Sequence, residues 1–464
     1  MRALTADETR QAVRGRWLSR SEPVPIRGVT IDSRRAGEGD LFVAIRGENH
    51  DGHDYLQQAA QSRCVAAITD IKHEMQPVLM RQFPAGVIGV PDTRAALLDL
   101  AAYYRGVIPA TVVGVTGSNG KTTAGRMIDH ILRTRLEGTA SPKNYNNEIG
   151  VPLTLLSAGA GDDYVVCEIG SSGPGEIARL TRSVKPNIAV ITSISEAHIE
   201  RLRSVEHIAA EKAAVLGWLG ERDIGIVNAD SPALEHALKS YEKRLIRFGT
   251  APEAQLRVTD YTCDGHRQEF QINDRDCVML PIPGRHNALN ALAAIAVAAR
   301  FGFTQEEAAA ALGDFTGVEQ RLEWIDAGGI AIINDAYNAN PRSMQAAVDV
   351  LADVRGGRRV LIAGDMLELG EKAEQLHADV GRAIGSRRVD LVVGVGELGK
   401  ILAEGAARIG KDIATFPNVA RAADAVGEML QKGDTVLIKA SRGMQMEKLL
   451  PRLKQAGGRL AGED

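Results

Sequence analysis

Thr111-Val112-Val113-Gly114-Val115-Thr116-Gly117-Ser118-Asn119-Gly120-Lys121-Thr122-Thr123 is the stretch around which the rest of this chain is organised. Its opening, Thr111 to Val115, reads as a buried strand. A loop with two glycines follows, then Lys-Thr-Thr and a helical pattern that begins near Ala124. Strand, glycine loop, Lys-Thr and helix form the arrangement that holds a nucleoside triphosphate. Glycines let the backbone approach phosphate oxygens, and the positive helix end adds favourable potential. Lys121 would reach the terminal phosphates, and the Thr122 hydroxyl would ligate Mg2+. The strict pattern G-x-x-x-x-G-K-[ST] asks for Gly at 115. Here the glycine stands one place earlier, at Gly114.

Outward from this loop, polar residues fall at strand ends. Asn144-Tyr145-Asn146-Asn147-Glu148-Ile149-Gly150 is a loop or cap before a helix starting near Val151-Pro152. Tyr164 to Gly170 is a buried strand ending in Glu168, where a second Mg2+ ligand belongs. Asn187 to Ser193 is another strand, and His198 follows it, placed for a metal role at the same phosphate edge. Lys212 lies in a helix from Val205 to about Leu219, flanked by alanines, and by pattern alone it faces solvent. Residues 224 to 280 read as β-rich. Pro283-Gly284-Arg285-His286-Asn287 then opens an Ala-rich helix in which Asn287 and Asn290 share a face. Two amides on one face can read the edge of an adenine, although Asn287 could equally cap the helix.

Residues 1 to about 109 carry strands at Ile26–Ile31, Leu41–Ile45, Ala66–Thr69 and Gly86–Val90. Helices are expected from Tyr55 to Ser62 and from Thr93 to Arg105. Asp32-Ser33-Arg34 is a turn by composition, or an anion loop in which Ser33 and Arg34 donate to a phosphate. Pro109 marks the boundary before the nucleotide strand. From Arg321 onward strand and helix alternate, which is a doubly wound α/β pattern. Asp335-Ala336-Tyr337-Asn338-Ala339-Asn340-Pro341 and Lys439-Ala440-Ser441-Arg442-Gly443 end strands there, where open α/β sheets bind ligands. Gly394-Val395-Gly396-Glu397-Leu398-Gly399 matches a dinucleotide fingerprint. It is read as a decoy, because no acidic residue ends a following strand about 20 residues on.

Composition sets the outer limits. The 464 residues fit three domains, and a net charge of −4 argues against a nucleic-acid binder. Met1 to Arg20 lacks an apolar signal core, and Ala288 to Ala299 is too short to span a bilayer. A cytoplasmic protein with no membrane insertion is expected. Cys64, Cys167, Cys263 and Cys277 are scattered and read as buried thiols, neither disulfides nor a metal site.

Taken together, TGSNGKTT at 116–123, NYNNEIGVPLTLL at 144–156, the EIG strand end at 168–170, GRHNALNALAA at 284–294, DAYNANP at 335–341, GDMLELG at 364–370 and KASRG at 439–443 resemble the Mur ligase family over essentially the whole chain. The shifted glycine at 114 is itself similar to that family's phosphate loop. The resemblance implies three α/β domains: a UDP-substrate-binding domain at 1–109, a central P-loop-type ATP-binding domain at 110–320, and a Rossmann-like domain at 321–464. It implies ATP-dependent joining of D-alanyl-D-alanine to UDP-MurNAc-tripeptide through an acyl phosphate, by a protein expected to be a monomer. The alternative within the family is the preceding step, which adds diaminopimelate or lysine; members of that type usually carry Asp-Asn-Pro-Arg in the third domain, and this chain has none. By the same resemblance Gly117, Ser118, Asn119, Gly120, Lys121, Thr122 and Thr123 hold ATP phosphates, and Asn287 and Asn290 meet adenine. Arg321 reaches the γ-phosphate and Asp335 the ribose. Thr122, Glu168, His198 and a carbamylated Lys212 hold two Mg2+. Ser33, Arg34, Asn144 and Asn147 face the UDP substrate, with Asn338, Asn340 and Ser441 toward the dipeptide.

Overall fold

A computed structural model describes residues 1–20 and 22–462. Three sheets follow one another along the chain. The first contains β1 (Arg16–Ser19), β2 (Gly28–Thr30), β3 (Asp40–Val43), β4 (Ala66–Asp70) and β5 (Gly86–Val90), in the order β1-β5-β4-β3-β2. Only the β1/β5 pair is antiparallel. The second contains β6 (Thr111–Thr116), β7 (Gly138–Ala140), β8 (Tyr164–Glu168), β9 (Ile188–Ile191), β10 (Ile224–Asn228), β11 (Leu245–Gly249), β12 (Leu256–Cys263), β13 (Gln268–Ile272) and β14 (Asp276–Leu280). Their order is β14-β13-β12-β11-β10-β9-β6-β8-β7, parallel from β7 to β12 and antiparallel beyond. The third contains β15 (Glu323–Asp326), β16 (Ala331–Asn334), β17 (Arg359–Gly364), β18 (Leu391–Val395), β19 (Asp412–Phe416) and β20 (Thr435–Lys439), ordered β15-β16-β20-β17-β18-β19.

Strand β6 is the pivot of the second sheet. The chain runs from β6 outward through β7 and β8 on one side, then crosses to β9 on the other. That reversal opens a crevice at the carboxyl ends of the strands, where such sheets bind ligands. In the third sheet β20 inserts between β16 and β17 and creates the same opening. Apolar clusters cover both faces of this sheet, as a doubly wound fold requires. One cluster runs without interruption from the first sheet to a face of the second. The helix Thr93–Val107 makes that junction: the Tyr104 hydroxyl donates to Ala158 O at 2.7 Å, and Arg105 donates to Val184 O and Asn187 Oδ1.

Several sequence expectations are corrected. The helix expected from Ala124 begins at Lys121, because its first turn is polar and invisible to apolar periodicity. The region 224 to 280 includes a helix, Pro232–Leu238, capped by Ser231 with proline in its first turn. Helix Ala6–Ala12 and strands β1, β15 and β19 had no counterpart in the pattern; all are short or half-exposed. Cys277 is exposed, since it lies on the outer face of edge strand β14, while Cys64 and Cys167 are buried; all four cysteines are free. No helix among the described residues is long and apolar enough to cross a membrane.

Candidate active site

The phosphate loop is held open by contacts with the end of β9. A Cβ on Gly117, at φ +145°, would lie 2.1 Å from Thr192 Oγ1, and one on Gly120, at φ +82°, would lie 2.4 Å from Asn290 Oδ1. Both positions therefore demand glycine. Asn119 N donates to Ser193 Oγ at 3.0 Å, and Ser118 N donates to Ser193 O at 2.7 Å. Lys121 Nζ curls over the loop to Gly117 O at 2.9 Å. Burial pushes its ammonium below the ordinary lysine value. Thr122 and Thr123 are buried beneath the loop.

Thr122 is the centre of a short polar chain. Its hydroxyl donates to Glu168 Oε2 at 2.7 Å and accepts from Arg321 Nη2 at 3.0 Å. Glu168 Oε1 accepts from Asn146 Nδ2 at 2.8 Å. Glu168 comes from β8, Thr122 from the helix after β6, and Arg321 from the start of the third unit. Parallel pairing of β6 with β8 places Glu168 opposite Val115 and so beside the loop. Arg321 lies over the Tyr337 ring, 4.3 Å from its centroid. Asn146 and Tyr337 sat inside quoted motifs without a role, and only folding reveals what they hold.

His198, in a left-handed conformation, turns its Nδ1 to Glu368 Oε2 on the loop after β17. That partner holds the Glu368 carboxyl below the usual range. Lys212 does not face solvent. Its side chain is 2% exposed, and Nζ donates to Ser171 Oγ at 2.6 Å. Burial first, and the nearby Lys121 ammonium next, bring the Lys212 amine down to about 7. Beside it, the Glu211 carboxylate accepts from Gly175 N at 2.7 Å and Ile177 N at 2.8 Å, which caps the helix Glu176–Val184 and fixes the loop carrying Ser171.

Asn287 and Asn290 face the same cleft, joined by Asn290 Nδ2 donating to Asn287 Oδ1 at 3.2 Å. Asn287 is not the cap of its helix; Gly284 takes that position, and Asn287 donates to Pro283 O. His286 lines the cleft as a neutral imidazole, pushed down to about 4 by burial. Asp335 pairs with Lys439 Nζ at 2.5 Å, and Lys439 also donates to Asn338 O. Asn340 caps the helix Pro341–Asp353 and reaches across to Asn119 Oδ1 at 2.8 Å. Ser441 accepts from Leu367 N and donates to Ala339 O. Asn340 and Ser441 thus spend their polar atoms on internal contacts.

The four proposed UDP contacts do not converge. Ser33 is buried and donates to Gln58 Oε1, while Arg34 is exposed and pairs with Asp32. Both belong to the first sheet's turns, apart from the phosphate cleft. Asn147 lines that cleft and caps the helix Gly150–Ser157 through Gly150 N; Asn144 is exposed. The fingerprint at 394–399 is filled from within. Asp365 Oδ1 accepts from Leu398 N and Gly399 N, where a pyrophosphate would sit.

Lys121, Thr122, Glu168, His198, Asn290 and Arg321 line one cavity of about 430 Å³ between the second and third sheets, with strand ends from both facing it; Lys212 lies outside that lining and reaches it through Ser171. Thr122 and Glu168 offer two oxygens for a hard cation, whose remaining positions phosphate and water can fill. Among the described residues no set of three or more His, Cys, Asp or Glu side chains is gathered around a metal-sized space.

Comparison with known proteins follows the same division of the chain. Residues 25–105 match the Mur ligase family catalytic domain, 115–298 the Mur ligase middle domain, and 320–442 the Mur ligase glutamate ligase domain. The UDP-N-acetylmuramoyl-tripeptide–D-alanyl-D-alanine ligase of Bacillus subtilis is 38% identical, over 93% of this chain and 94% of its own. The enzyme of that name from Escherichia coli is 35% identical, over 94% and 95%. A crystal structure of MurF from Acinetobacter baumannii superposes with a TM-score of 0.88 at 30% identity, covering 98% of this chain and 99% of that one. A MurF ligase of Thermotoga maritima in complex with ADP gives a TM-score of 0.81 at 27% identity, covering 94% and 98%. The P-loop strand, the two opposed crevices and the full-length similarity agree: the chain belongs to the Mur ligase family.

Proposed function

We propose that the chain is an ATP-dependent ligase that joins D-alanyl-D-alanine to UDP-N-acetylmuramoyl-tripeptide, giving the pentapeptide precursor of peptidoglycan. One observation carries this reading: Lys121, Thr122, Glu168 and Arg321 converge on a single cleft in a chain that matches ligases of that name nearly end to end. The tripeptide's terminal carboxylate attacks the γ-phosphorus, ADP leaves, and an acyl phosphate forms. The dipeptide amine then attacks the acyl carbon, and phosphate leaves. Lys121 and Arg321 offset the repulsion between carboxylate and triphosphate and stabilise charge on the transferred group. Asn287 and Asn290 would take the adenine edge and Asp335 the ribose. Thr122 and Glu168 would hold one Mg2+, and His198 with Lys212 a second. When bound, these ions neutralise charge developing on the phosphoryl oxygens.

Lys212 can serve as a metal ligand only after its amine has added CO2 and lost a proton to become a carbamate. A buried amine brought down to about 7 is about half in the neutral, nucleophilic form at neutral pH, against a tiny fraction for an ordinary lysine. Ser33 and Arg34, on the turns of the first sheet, would meet the uridine diphosphate end. The same reading takes the protein to act as a monomer in the cytoplasm. The deciding assay is phosphate release from ATP with UDP-MurNAc-tripeptide, with and without D-Ala-D-Ala. Release that is indifferent to the dipeptide would refute the ligation.

A further inference from the structure

Of the five carboxylates lining the cleft, three are engaged in internal contacts. Glu168 is bonded to Thr122 and Asn146, Asp335 is paired with Lys439, and Glu176 accepts from Ser172 N. Glu368 differs. Its Oε2 meets His198 Nδ1, while its Oε1 has no donor among the described residues. The two residues stand on opposite walls, His198 after β9 and Glu368 after β17. Both are non-glycine residues in the left-handed region, at φ +57° and +63°. Strained backbone of this kind persists where the surroundings hold a side chain at a working position. Here Glu200 N donates to Glu368 O, and Gly370 packs on Glu200, so the loop is clamped with its carboxylate toward the cavity.

Apart from the positions assigned above to Mg2+, most charged groups of the cleft are cationic or already paired. Lys121, Arg321 and Arg342 line it and favour phosphate oxygens. The dipeptide nevertheless arrives with its amine as an ammonium. We propose that Glu368 docks this ammonium, its free Oε1 accepting the N–H while His198 anchors Oε2. Glu196 also lines the cavity, without a side-chain partner among the described residues, and adds to the same negative field. Glu368 is thereby a specificity residue for the amine substrate, an inference that rests on the ligation proposed above.

The test uses the full-length protein and the phosphate-release assay, with D-Ala-D-Ala varied. D-lactyl-D-alanine, which carries a hydroxyl in place of the ammonium, serves as competitor. A charge-assisted hydrogen bond implies that E368Q raises KM for the dipeptide roughly tenfold or more, well beyond any change in KM for ATP that follows from the loosened His198. E368D should recover part of the loss. Wild type should bind the hydroxyl analogue much more weakly than the dipeptide, and E368Q should nearly erase that preference. An unchanged dipeptide KM, an equal rise in KM for all substrates, or a preference that survives in E368Q would each overturn the assignment. Dipeptide-independent phosphate release by wild type would instead overturn the ligation itself.

Discussion

Replacing Lys212 by Met should stabilise the folded protein at neutral pH while abolishing ligation. The lysine is 2% exposed and its amine has fallen from the ordinary 10.5 to about 7. At about 1.4 kcal/mol per pKa unit, that difference is on the order of 5 kcal/mol of unfavourable burial. The sign follows from proton counting. Between pH 7 and 10.5 the unfolded chain binds more protons at this site than the folded one. Stability contributed here therefore rises with pH across that window, and the penalty is complete below it. Met removes the charge at similar length but leaves the buried Ser171 hydroxyl without its 2.6 Å partner. An unsatisfied hydroxyl costs about 1–3 kcal/mol, so relief wins at pH 7 and the loss wins near pH 10.5. The assay is the difference in melting temperature between K212M and wild type, measured from pH 6.5 to 10.5 in CO2-free buffer. The difference should be positive at the acid end and change sign as pH rises. Bicarbonate should then raise the melting temperature of wild type alone, as carbamate formation requires. A variant less stable than wild type at pH 6.5, or a difference independent of pH, would refute the reasoning.

Two further outcomes follow from the same geometry. Gly120→Ala forces a left-handed residue, strained by about 1–2 kcal/mol, and pushes the new Cβ to 2.4 Å from Asn290 Oδ1. It should lower the melting temperature and weaken ATP binding, and a titration showing unchanged affinity would count against the placement of Asn290. Tyr337→Leu removes the ring 4.3 Å from the Arg321 guanidinium. The loss of about 0.5–2 kcal/mol should lower kcat/KM for ATP several-fold, with Tyr337→Phe close to wild type in steady-state kinetics; equal losses in Phe and Leu would place the effect in the hydroxyl.

Much of the site was legible because its parts are local. Val112 to Thr123 carries strand, turn and helix chemistry within a dozen residues, and Gly117 and Gly120 announce their positive φ by being glycine. Glu168 and Asp335 could be singled out because each follows an apolar run, at the end where parallel strands gather ligands. Lys212 was misread on pattern, since Ala209, Ala210, Ala213 and Ala214 around it supply little contrast between faces. The helix start at Lys121 was missed because its first turn is polar.

Residue type and local periodicity were enough to point to a candidate triphosphate loop, the alternation of strand and helix, and the side chains able to handle charge, because those properties depend on neighbours a few positions away. Partnership was not available at that range. Glu368 meets His198, Lys439 meets Asp335, Arg321 meets Thr122 and Asn340 meets Asn119 across 104 to 221 positions. Those pairs exist only because β20 enters between β16 and β17 and the second and third sheets present their carboxyl ends to one cleft. Burial likewise belongs to the packed chain. The same packing that removes water from Lys212 makes its amine available near pH 7, and the Asp365 carboxylate that fills the fingerprint at 394–399 leaves the phosphate loop at 117–120 as the anion cradle of the cleft.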